Sequence, residues 1–103
     1  MERIGYSVAR KLDSQSDRAV EVEIPRPEEA WEYVEVWLRD HAGAERRVRR
    51  FERLAGERGP LRGVFVAPRR KCELLVFSDN CSMTTRVLNP DDRGLVTFRW
   101  EAR

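Results

Sequence analysis

The chain has 103 residues, 41% apolar and 37% charged, with a formal net charge of +2. That length holds one core and suits a single domain, 1–103, with enough aliphatic and aromatic mass to fold without metal or disulfide staples. No stretch approaches the roughly 18 consecutive apolar residues of a membrane span. "MERIGYSVARKLDSQSDR" lacks the apolar run and cleavage site of a secretory signal. A cytoplasmic protein with no membrane contact is expected.

In chain order, "RIGYSVARKL" alternates Ile4, Tyr6 and Val8, and "AVEVEI" alternates Val20, Val22 and Ile24 with glutamates. With the polar turn "DSQSD" between them, they predict an antiparallel hairpin over 3–12 and 19–25 with one wet face. Pro27, Glu28 and Glu29 suit the first turn of a helix. Ala30, Val34, Trp37, Leu38 and His41 recur at helical spacing, and Gly43 suits a left-handed cap, so a helix is predicted over 27–42. The alternation in "WEYVEVW" also suits a strand.

"AERRVRRFERLA" places Val48, Phe51 and Ala55 within about 40° of Ala44 on a helical projection. Arg46, Arg49, Arg50 and Arg53 fall on the opposite side. This predicts a second helix, 44–55, with an apolar stripe and an arginine stripe, ended by Gly56. After "GERGPLRG", four strands are expected at 63–67, 72–78, 82–88 and 95–100, separated by turn residues. The fold class is therefore α+β: an N-terminal β-hairpin, a helix hairpin, and a four-stranded antiparallel meander with the helices packed on one sheet face.

Charge is uneven along the chain. Residues 17–40 carry eight acids against three arginines, whereas 41–73 carry ten bases against four acids. Such asymmetry hints at interaction. The stripe of Arg46, Arg49, Arg50 and Arg53, extended by the turn Arg69, Arg70 and Lys71, matches the chemistry that grips phosphate or an acidic partner. Its bland counterpart is a solvated helix face. All but two of the twenty bases are arginine, which a GC-rich genome explains without function. The acidic segment, with Glu28, Glu32 and Glu35 around Val36, is a candidate surface for a basic partner or for self-association.

Catalytic chemistry finds little footing. Cys72 and Cys81 are nine apart, at the start of a strand and in the turn after it, so free thiols in a reducing cytosol are expected. His41 is the only histidine, and no base is aligned with either thiol. Two cysteines and one histidine lack zinc spacing, "GERGPLRG" lacks the lysine of a phosphate-binding loop, and Asp91–Asp92 belong to a turn. No cofactor and no metal are expected.

The reading is a small non-catalytic bacterial or phage regulatory protein. It would bind a nucleic-acid-handling protein or nucleoprotein through the arginine stripe and the acidic segment, with direct nucleic-acid contact and a homodimer both compatible. A structural or assembly role, such as a phage particle component, is an alternative. Over about residues 19–100, the strand, helix pair and antiparallel sheet also resemble in layout the RelE/ParE group of small bacterial toxins. That group's sheet-borne motif does not map onto "KCELLVFSDNCSMTTRV", and the N-terminal hairpin is extra. The resemblance implies ribosome-dependent mRNA cleavage or gyrase poisoning, with Arg70, Arg86 and Arg99 placed to act.

Overall fold

A computed structural model describes residues 17–80 and 82–101. The predicted strand 3–12 and Cys81 lie outside the described residues. Seven strands are present: β1 (Asp17–Ile24), β2 (Tyr33–Arg39), β3 (Glu45–Glu52), β4 (Leu61–Pro68), β5 (Cys72–Ser78), β6 (Met83–Leu88) and β7 (Leu95–Thr97). They form two sheets, ordered β4-β1-β7 and β3-β2-β5-β6. No helix occurs among the described residues, hence none long and apolar enough to cross a membrane.

The α+β class is thus corrected to mainly β. Both expected helices, 27–42 and 44–55, are instead the β2–β3 hairpin and its flanks. The meander is corrected too. Of its strands only β5 and β6 pair with each other, while β4 and β7 flank β1 in the other sheet, β4 antiparallel and β7 parallel. The layout on which the toxin resemblance rested is therefore absent.

The physical reason for the misreading lies in β3. Val36 pairs with Arg49 but Trp37 pairs with Arg47, so Val48 is an extra residue, a β-bulge. A bulge switches the parity of the strand. Arg46, Arg49 and Phe51 consequently face the other sheet while Arg47, Arg50 and Glu52 face away. Repeats of three residues arise from a bulged strand and imitate a helix. Gly43 does adopt the left-handed conformation, φ 89°, but within a hairpin turn. Asp40 closes that turn by accepting the Ala42 and Ala44 amides on its carboxylate.

The inner faces supply a single core. Val20, Val22 and Ile24 of β1, with Leu61, Phe65 and Ala67 of β4, face Val34, Val36 and Leu38 of β2 and Leu74 and Val76 of β5. Arg18 is one of the buried polar residues. Its Nη1 donates to the carbonyls of Asn89, Pro90 and Asp92 at 2.8–3.2 Å, fastening the β6–β7 loop over one end of the sandwich. Asp79, in the β5–β6 turn, accepts the Glu32 and Tyr33 amides at 2.8 and 3.2 Å and so sets where β2 begins. The backbone hydrogen bonds given to a charged acceptor hold the Asp79 carboxyl below its ordinary range.

Candidate protein-binding face

The outer face of the four-stranded sheet brings aromatic, methionine and paired charged side chains together. In β2 the alternation that buries Val34, Val36 and Leu38 turns Tyr33, Glu35, Trp37 and Arg39 outward. Register then assembles three rows across the sheet. Arg50, Glu35, Phe77 and Met83 form one, Arg47, Trp37, Leu75 and Thr85 the next, and Glu45, Arg39, Glu73 and Val87 the third. Tyr33, Trp37, Leu75 and Phe77 are half-buried, and Met83 and Val87 are 52% and 46% exposed. Among the described residues, no layer covers this face.

Glu35 is its organising residue. Although outward-facing, it is only 7% exposed, because its neighbours close over it. Trp37 Nε1 donates to one carboxylate oxygen at 3.0 Å, and Arg47 and Arg50 donate to the other at 3.0 and 2.7 Å. Burial alone pushes this carboxyl up, but the three donated hydrogen bonds outweigh it and hold it below its ordinary value. Arg50 also lies 4.2 Å from the Tyr33 ring, and Trp37 meets Phe77 at 6.5 Å in a tilted pair. These contacts pack the Tyr33, Trp37 and Phe77 rings against neighbouring side chains.

The predicted arginine stripe is split by this arrangement. Arg46 reaches the Val66 carbonyl, and Arg49 stacks over Phe51 at 5.0 Å. Arg50 pairs with Glu35 and Glu52, and Arg53 with Glu32. Arg69 donates to the Asp17 carbonyl from the β4–β5 turn, where Arg70 and Lys71 are exposed. That turn leads into Glu73, which pairs beside Arg39 at the opposite end of the sheet from Arg53, so the seven bases do not form one patch. Among the acidic candidates, Glu28 and Glu32 are exposed before β2, Glu35 is enclosed by Trp37, Arg47 and Arg50, and Val36 is fully buried.

Catalytic groups are not assembled either. Cys72 is a buried free thiol, whereas His41 sits on the exposed β2–β3 turn. Burial pushes the Cys72 thiol up, against the opposing pull of Arg18 and Arg46. Arg86 and Arg99 share a shallow groove of about 330 Å³, of which Arg70 is not a part. A larger cleft of about 500 Å³ lies among Pro25, Arg26, Glu28, Glu29, Arg99 and Trp100. Among the described residues, no group of three or more His, Cys, Asp or Glu is placed to hold a metal.

Residues of this face that the sequence had not marked as a site include Tyr33, Trp37, Arg39, Arg47, Leu75, Phe77, Met83 and Val87. For Tyr33 and Trp37 a signal was present in the alternation of "WEYVEVW". No family model, no curated protein and no solved structure matches the chain.

Proposed function

We propose that this chain is a non-catalytic binding protein that engages a protein partner through the outer face of the β3-β2-β5-β6 sheet. The observation that carries the reading is the composition of that face. Tyr33, Trp37, Phe77 and Met83 lie beside Arg39, Arg47 and Arg50, with no lysine among them. Aromatic residues, methionine and arginine are enriched at protein interfaces, while lysine is depleted. The packed aromatic rings lose little side-chain freedom on binding, which favours affinity.

Direct nucleic-acid contact is the second reading, and charge weighs against it. Three guanidiniums on this face stand against four carboxylates, Glu35, Glu45, Glu52 and Glu73, and each guanidinium is ion-paired. A phosphate ligand would have to displace those carboxylates first. A regulatory partner that handles nucleic acid fits the reading if the contact is with its protein surface. The free buried thiol of Cys72 suits a reducing, cytoplasmic compartment.

The test is affinity capture from a bacterial lysate, comparing the wild type with Trp37→Ala and with Arg62→Glu, a control on the opposite sheet. Loss of one discrete protein with Trp37→Ala alone, at a level indifferent to added salt, supports the face. Capture unaffected by Trp37→Ala, or abolished by moderate salt or nuclease, overturns it.

A further inference from the structure

We propose that β6 is the pairing edge of a symmetric homodimer. The argument begins with how the four sheet edges differ. An open edge offers unpaired N–H and C=O groups, and proteins blunt such edges with charges, bulges, proline, short strands or covering elements. β3 carries a bulge and six charged residues in eight. β4 ends in Pro68 and packs against β3. β7 is three residues long. β6 has no bulge and no proline, and carries a single charge.

Its six residues keep an unbroken register with β5, from Cys72↔Leu88 to Phe77↔Met83. Its one charge, Arg86, is turned away to donate to the Thr97 carbonyl at 2.6 Å. Among the described residues no strand pairs with its outer side, and a groove separates Thr84–Arg86 from Thr97–Arg99.

The ladder fixes which groups are free. Ser78 N donates to Ser82 O, and 78 lies opposite 82 in this register, so that pair is hydrogen-bonded. Bonded and non-bonded pairs alternate in an antiparallel ladder. Thr84, Arg86 and Leu88 therefore spend their backbone groups on β5, and those of Met83, Thr85 and Val87 point to the open edge.

A second copy satisfies these groups in one register. With the two-fold axis at Thr85, Thr85 pairs with Thr85 of the partner subunit and Met83 with Val87 of the partner subunit. Threonine pairs and apolar pairs are favourable cross-strand neighbours. Arg86 then opposes a threonine. Moving the axis one residue to Arg86 sets two arginines face to face, and moving it to Thr84 separates Met83 from Val87. The contact is isologous and closes on itself, so it makes dimers rather than fibres. It joins two copies of the outer face into one eight-stranded surface. Six residues of edge fall short of the ~800 Å² per partner of a stable interface, so the dimer is weak and concentration-dependent.

Sedimentation of the full chain between about 1 μM and 1 mM tests this. The wild type is expected to pass from monomer to dimer, with the Thr85 amide gaining exchange protection in step. Thr85→Pro removes only an outward N–H, which an edge strand tolerates, so it should weaken dimerisation about tenfold or more while leaving the monomer's unfolding midpoint in place. Val87→Lys, at an exposed side chain, should do the same by charging the edge. A monomer throughout the range, or a dimer indifferent to both changes, overturns the proposal. Trp37→Ala should leave dimerisation intact, which separates this inference from the partner-binding reading.

Discussion

Gly63 is where the two sheets come closest at the β3–β4 corner, and Gly63→Ala measures how tightly that corner is filled. A Cβ built there meets Arg49 Nε at 2.8 Å, Phe51 Cζ at 3.0 Å and Arg49 Cδ at 3.3 Å. The Phe51 ring is packed in the core, so it yields little; the arginine end yields more. Over-packing of this kind costs about 1–3 kcal/mol. Against it stands about 0.5–1 kcal/mol gained by restricting the unfolded chain, since Gly63 has no need of a left-handed backbone. The net expectation is about 1 kcal/mol of destabilisation, or roughly 5 °C in melting midpoint. Urea and thermal unfolding followed by tryptophan emission measure it directly. Truncating Arg49 removes the contacts at 2.8 and 3.3 Å but leaves Phe51 in place, so in an Arg49→Ala background Gly63→Ala should cost less than in the wild type, a coupling expected of residues in contact. If Gly63→Ala stabilises both backgrounds equally, Arg49 does not occupy the space that the inward parity of the bulged strand assigns it.

Two further outcomes follow from the buried polar groups. The folded Glu35 carboxyl lies below its ordinary value of 4.5, so its contribution is fully present above that value and lost as pH falls through the lowered folded value. Glu35→Gln should therefore flatten the loss of stability as pH falls below the ordinary carboxylate value; a variant as acid-sensitive as the wild type contradicts the hydrogen bonds that Trp37, Arg47 and Arg50 give this carboxylate. Cys72, buried and with its thiol pushed up, should resist iodoacetamide in the native state and label at the rate of unfolding as urea is raised. Mass spectrometry of the Cys72 peptide reports this, and rapid native labelling would show the thiol to be accessible.

Amino-acid order alone determined the strands whose local pattern is unambiguous. "AVEVEI" carries a period of two, "GVFVA", "CELLVFS" and "SMTTRVL" are short runs set off by turn residues, and β1, β4, β5 and β6 occupy those stretches. It also determined the turn at Gly43, because only a residue at ease with positive φ suits that position whichever element precedes it. The nature of β2 and β3 was decided by tertiary structure. Val34 and Leu38 satisfy both a strand and a helical stripe, whereas Val36 fits only the strand, and the bulge at Val48 gives the arginines a three-residue repeat. Partnership between strands was likewise a tertiary matter. β1 finds β4 some forty residues away and β7 still further, and no local pattern records such a pairing. The outer face of the four-stranded sheet shares that origin, since Trp37, Phe77 and Met83 become neighbours only when β2, β5 and β6 align. Local sequence fixes which side of a strand is apolar; the pairing of distant strands fixes which apolar and charged groups meet, and the charge of an arginine matters only once its carboxylate neighbours are known.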